Sequence, residues 1–369
     1  MDNLYVVKAF THLHDIPEIA NCEFKTSKFI YNSLKEMNIL VKNDFAGTAV
    51  IAEMDSGKPG PCLVLRADMD ALEFVIDGKK KMIHACGHDA NSSMVLAAAK
   101  EISKYDLKHG KLKFLFQPAE ETGTGADLVC KSGALNDATH MVGIHFRSNE
   151  DILLGQATPA LTHGATGSME FRVKGQPAHG SRPHLGVNAV EAVVLAANAV
   201  NTIRVDSRVP FSAKVTNIQT DGYTANIIPE YANFKLDIRA QVNPVMEDLV
   251  EKIKKAVFSS VESIGAQADL LKCSWRPAAE FDDEMIGVAK DAIEEVLGQS
   301  LPQIYTPGGE DFHIYKRHLG VKSAYIGLGA NLSPGLHKPE MSFDRKALEI
   351  GQDILVEIVK QKIGLITDQ

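Results

Sequence analysis

Short apolar runs alternate with amphipathic stretches through the first 150 positions of this 369-residue chain. Phe29, Ile30, Leu34 and Met37 share one side of a helix spanning 23–38. Residues 48–53 and 61–66 are apolar runs of strand length. Over 111–117, Leu112, Phe114 and Phe116 alternate until Pro118 halts the strand. A small-residue helix over 91–104 and a short helix over 127–132 intervene, and 140–145 reads as another strand. Near residue 165 the pattern changes to strand 168–174, helix 188–203, strands 212–220 and 233–240, helix 244–264 and strand 266–275. That β-α-β-β-α-β order predicts a ferredoxin-like antiparallel sheet with two helices on one face. The first pattern then resumes with helix 285–297, strand 323–328 and helix 345–362. The expected fold is α/β with two domains: a discontinuous α/β domain over 1–164 and 278–369, and a smaller α+β domain over 165–277 inserted into it.

Composition narrows the function classes. The chain is 45% hydrophobic and 23% charged, as in ordinary globular proteins. A net charge of −8 argues against nucleic-acid or anionic-membrane surfaces. No apolar run is long enough to span a bilayer, and no basic segment followed by an apolar core marks a secretory signal. The cysteines (Cys22, Cys62, Cys86, Cys130 and Cys273) are odd in number and scattered, which suits a reduced cytoplasmic protein. The helix over 188–203 is apolar over most of its circumference, with Glu191 the one charge in its polar stripe of Asn188, Glu191, Asn198 and Asn201. Such a face reads as an interface core, predicting a homodimer through the inserted domain.

The candidate chemistry sits at strand ends. Cys86 and His88 lie two residues apart in a glycine-containing turn before the helix over 91–104, a pairing suited to a transition metal. Glu120 and Glu121 follow Pro118, and His145 and His337 each follow an apolar strand. In an open α/β sheet the crevice beyond the strand carboxyl ends is where ligands bind, so one sheet would bring these groups to one edge. Two adjacent carboxylates in such a place suggest one ligand and one catalytic group. Asp68 and Asp70 read as ligands, as partners of ligating histidines, or as turn residues, the second being favoured. His84 reads as ligand or core residue, residues 308–312 as pocket loop or turn, and His179 as an exposed loop histidine.

These residues resemble the amidohydrolase branch of the M20 metallopeptidases, which includes hydrolases of hippurate, auxin conjugates and other N-acyl and N-aroyl amino acids. The matching motifs are Leu13-His14 with Pro17-Glu18, Arg66 to Leu72, His84 to Asp89, Gln117 to Glu121, His179, Asn226 to Pro229, Glu310-Asp311-Phe312 and Leu336-His337, in family order over nearly the whole chain. The resemblance implies a zinc-peptidase-like catalytic domain holding two divalent metal ions per subunit. Cys86 bridges or ligates, with His88, Glu121, His145 and His337 completing the set and Glu120 as general base. Zinc or manganese is expected, with cobalt and nickel open. Arg239 resembles the residue that meets a substrate carboxylate. His179 and Asn226 resemble residues that the inserted domain lends to the partner subunit's site. Glu73 in place of proline, Asn91 in place of histidine, and Arg147-Ser148 in place of an aromatic-proline pair depart from the family pattern near the substrate cleft that the resemblance implies. The rival readings are a dipeptidase or carboxypeptidase of the same superfamily, and a metal-binding protein without catalysis. Glu120 beside Glu121 argues against the latter, because a binder needs only the ligand.

Overall fold

Runs that are apolar at every position need cover on both faces, and the central strand Cys62–Asp68 is buried throughout. The computed structural model describes residues 4–42 and 46–367. They form two units: Met1–Thr162 with Glu280–Ile304 and Asp311–Gln369, and His163–Ala279 with Tyr305–Glu310.

In the first unit a seven-stranded sheet runs Leu40–Lys42, Val50–Asp55, Lys111–Gln117, Cys62–Asp68, His140–Ser148, Lys322–Leu332 and Ala157–Thr158. The four strands from Lys111–Gln117 to Lys322–Leu332 are mutually parallel, so their carboxyl ends share one edge. Antiparallel pairs close both flanks. Helix His88–Ile102 is buried at every position except Lys100 and Glu101. Its alanines allow close approach by helix Lys346–Lys362, where a Cβ on Gly351 would stand 2.0 Å from Met94 Sδ.

Some elements differ from the sequence reading. Helix His88–Ile102 begins three residues before the expected 91, so His88 is its first residue. Strand His140–Ser148 continues past His145, which therefore lies inside it. Helices Tyr5–His14 and His313–Leu319 and the hairpin Leu72–Ile76/Lys79–Ile83 were not expected. The hairpin buries no residue: Leu72, Phe74 and Ile76 are only half-covered, and Lys79–Ile83 is exposed up to Ile83. Its one local signal is Asp77-Gly78, both at positive φ (51° and 72°), as a tight two-residue turn requires.

The second unit has the expected β-α-β-β-α-β order. Its sheet runs Phe211–Thr220, Tyr231–Ala240, Ala165–Lys174, Gln267–Arg276, all antiparallel. Helices Ala189–Asn201 and Asn243–Glu262 pack Ala192, Val193, Ala196, Met246, Leu249 and Ile253 into one core with Phe171, Phe234 and Leu236 of the strands.

Candidate metal centre

The parallel strands deliver their chemistry to the shared edge of the first unit. Asp70 lies just past Cys62–Asp68, Glu120 and Glu121 just past Lys111–Gln117, and His337 beyond Lys322–Leu332. Gly87, left-handed at φ 85°, turns the chain from Cys86 into the helix that starts at His88. Cys86 Sγ lies 3.6 Å from His145 Nε2 and 3.2 Å from His337 Nε2. Glu121 Oε1 lies 3.6 Å from His337 Nε2 and 4.0 Å from His88 Nε2. Within the first unit, three overlapping groups thus have ligand atoms within 4.8 Å of one another: Cys86, His88 and His145; Cys86, Glu121 and His337; and His88, Glu120 and Glu121. Cys86 belongs to two of them.

The histidine tautomers suit ligation. His88 Nδ1 donates to the Asp70 carbonyl at 2.9 Å and His145 Nδ1 to the Phe146 carbonyl at 2.8 Å. Each bond leaves the Nε2 lone pair facing the cluster, as in metal sites where the second ring nitrogen is anchored. His88 Nε2 is buried and makes no hydrogen bond. Burial alone would lower the His88 pKa, but the charge on Asp68, the Cys86 sulfur and the hydrogen bond to Asp70 carry it well above its ordinary value. The surroundings therefore favour positive charge at this point, which either a proton on Nε2 or a cation bound by its lone pair would supply. Burial pushes the Cys86 thiol up, an effect that a neighbouring cation opposes by stabilising thiolate. Thiolate, imidazole and carboxylate donors around one small volume fit divalent transition metals.

Asp70 organises the edge. Its carboxylate accepts from Glu120 N at 3.1 Å and Glu121 N at 3.0 Å and lies 3.3 Å from His88 Nδ1. Burial works against its charge, yet His88 and the two amides hold its pKa below the usual carboxylate range. Asp68 instead accepts from Arg66 Nη1 at 2.7 Å and Asn91 Nδ2 at 2.8 Å. Arg66, fully buried, also donates to Asp311 at 2.8 Å and to Gln117 at 3.0 Å, locking neighbouring strand ends together. Asp311 is thus part of a buried ionic lattice. His84 is buried with neither ring nitrogen hydrogen-bonded and lies outside all three groups.

In the second unit, His179 and Asn226 come together. The short strand Ala178–His179 pairs with Ile227–Ile228, and Gly180 N donates to the Asn226 carbonyl at 2.7 Å. Both residues are exposed. Arg239 is elsewhere on this unit's sheet, with Nε 2.9 Å from Asp237 and Nη1 3.2 Å from the Pro307 carbonyl.

Residues 64–361 match the family model "Peptidase family M20/M25/M40", a span containing both sets of residues. The chain belongs to this peptidase family. It is a hydrolase of amide bonds. Among its relatives, an N-acetyl-L-cysteine deacetylase from Bacillus subtilis is 29% identical over 95% of this chain and 86% of that protein. An indole-3-acetyl-aspartic acid hydrolase from Enterobacter agglomerans is 28% identical over 84% of this chain and 75% of its own. The fold of a dinuclear metal-binding M20 peptidase from Bacillus subtilis superposes with a TM-score of 0.80 at 24% identity, covering 98% of each chain. These relatives fit the amidohydrolase branch of M20.

Sequence reasoning had no signal for two contacts at this M20 centre. One is His14 Nδ1, 2.6 Å from the buried Asp89 carboxylate. The other is the Glu23 carboxylate, 2.9 Å from Ala119 N. Both join residues more than seventy positions apart.

Proposed function

We propose that this M20 chain is a dinuclear metal-dependent amidohydrolase that cleaves N-acyl or N-aroyl amino acids. The carrying observation is that Cys86 is shared between the group with His88 and His145 and the group with Glu121 and His337. These five residues would hold two divalent ions, zinc or manganese, with cobalt and nickel also compatible with the donors. Such ions supply Lewis acidity, polarising the scissile carbonyl and lowering the pKa of water from ~16 to about 7. Glu120 is assigned as general base. Its backbone is held by Asp70, and its carboxylate takes the attacking water's proton and passes it to the leaving amine.

His179 is assigned to the tetrahedral oxyanion. Ser181 N donates to its Nδ1 at 3.1 Å, which leaves the ring proton on Nε2 as an outward donor. Asn226, beside it, would assist, and Arg239 would pair with the substrate carboxylate. A homodimer through the second unit is supported by two exposed apolar features. Helix Ala189–Asn201 presents Val194 and Leu195, and the sheet-edge strand Phe211–Thr220 presents Phe211 and Ile218. As the resemblance implies, His179 and Asn226 would then serve the partner's centre. Five free cysteines suit a reducing, cytoplasmic setting.

Metal analysis with a substrate panel tests the reading. Cys86→Ser lowers metal content and turnover together. Glu120→Gln keeps its metal and loses about 10²- to 10⁴-fold in kcat, since an amide accepts no proton from water. Turnover of N-acyl amino acids should exceed that of dipeptides and of peptides cleaved from the carboxyl end. The reverse order would make the enzyme a dipeptidase or carboxypeptidase on the same chemistry.

A further inference from the structure

Three consecutive backbone N–H groups in the turn carrying Glu120 and Glu121 each donate to a buried carboxylate oxygen. Glu120 N and Glu121 N donate to the two oxygens of Asp70, and Ala119 N donates to Glu23 Oε1 at 2.9 Å. Ala119 sits at φ 56°, a left-handed conformation that an L-residue with a Cβ adopts only where its surroundings impose it. It also immediately precedes the two glutamates.

Glu23 precedes helix Phe24–Glu36 and is fully buried. Carboxylates are rarely buried this completely without a cation, yet Glu23 forms no ion pair among the described residues. Its other hydrogen-bond partners are Asn21 N on Oε1 at 3.0 Å and the Thr48 hydroxyl on Oε2 at 2.6 Å. One oxygen therefore holds the left-handed turn, and the other ties the carboxylate to Thr48.

We propose that Glu23 is a positioning residue of the active site: its carboxylate clamps Ala119 in the left-handed turn and so aims the Glu120 and Glu121 side chains. This rests on the reading of Glu120 as base and Glu121 as ligand. A carboxylate that merely fastened a helix start to the core would matter equally through either oxygen. A clamp matters through Oε1. It should also be replaceable by a residue that takes the left-handed conformation unaided.

The experiment compares full-length Glu23→Ala, Glu23→Gln, Thr48→Val and the double variant Glu23→Ala/Ala119→Gly. Readouts are kcat, KM, melting temperature and Zn²⁺ affinity by chelator competition. Glu23→Ala should lower kcat about 100-fold with KM little changed, the scale expected when a catalytic group is misplaced by about an ångström. Its Zn²⁺ affinity should weaken about tenfold or more, as when a ligand loses its support. Glu23→Gln keeps the oxygen that Ala119 N needs and should stay near wild type in kcat. Thr48→Val should lower the melting temperature while keeping kcat. The Ala119→Gly change should recover much of the kcat lost in Glu23→Ala, because glycine adopts positive φ without strain.

Equal kcat losses in Thr48→Val and Glu23→Ala overturn the proposal, as does an unaltered kcat in Glu23→Ala or a double variant no better than Glu23→Ala. Should Glu23→Ala not fold, Glu23→Asp, one methylene too short to reach Ala119, takes its place in each comparison. Glu120→Gln run in parallel separates the two claims. If it stays active, the assignment of the base fails. If it is inactive while Glu23→Ala is active, only the positioning role fails.

Discussion

At the scale of single residues, partners set the outcome. Arg239 already leans on Asp237 two positions along its own strand, leaving its guanidinium half-exposed and oriented. Arg239→Ala should raise KM steeply for substrates with a free carboxylate and much less for their amides, since the charge-assisted pair needs the anion. Equal losses on both substrate types would make Arg239 a structural partner of Asp237. His14 offers a test of a different kind. Its pKa is raised, chiefly by the hydrogen bond to Asp89, against the lowering effect of partial burial. A raised histidine pKa contributes stability that is fully present below the unfolded value of about 6.5 and lost as pH rises through the folded value. The melting-temperature gap between wild type and His14→Ala should therefore be widest near pH 6 and close towards pH 9. A gap constant over that range would mean that packing on Phe10, 5.2 Å away between ring centroids, holds the ring instead.

Among the elements, helix His88–Ile102 carries the most. It begins with a candidate ligand and packs against helix Lys346–Lys362 at Gly351. Gly351→Val would force a side chain into the space of Met94 and should cost about 1–3 kcal/mol, the usual range for overpacking. Chemical denaturation measures that loss directly. A change near zero would show that the two helices can part without consequence. The central strands, too, were legible in the apolar runs, because strands buried on both faces leave a continuous signature, whereas their order in the sheet came only from the structure. The hairpin Leu72–Ile76/Lys79–Ile83 was not, because its strands are short and bury no residue, leaving only a weak half-covered alternation at Leu72, Phe74 and Ile76. The start of the helix at 88 was also hidden. Gly87 in the left-handed conformation does the work of ending the turn, and the helix has no side-chain cap to announce it.

For the whole molecule, the proposed exchange of His179 between subunits makes a distinct prediction. His179→Ala and Glu120→Ala homodimers should each be nearly inactive. Dissociating and re-mixing them should restore partial activity, since a mixed dimer has one site with both residues intact. No recovery from verified mixed dimers would place His179 in its own subunit's chemistry or outside it. Among the described residues no helix is long and apolar enough to cross a membrane.

Much about this protein was determined by sequence alone. Cys86, His88, Glu120, Glu121, His145 and His337 are chemically distinctive, and each falls at or near the end of an apolar strand or the start of a helix. A parallel sheet can deliver such positions only to one edge. The ferredoxin-like unit was legible for a similar reason, its periods of 2.0 and 3.6 alternating without ambiguity. What only the tertiary structure decided is how these side chains are held. Asp70 fastening the amides of Glu120 and Glu121, Glu23 reaching Ala119, and Arg66 joining Asp68 to Asp311 are contacts between segments far apart in the chain. Buried hydrogen bonds depend on where two segments meet in space, and no local pattern of apolar and polar residues encodes that meeting.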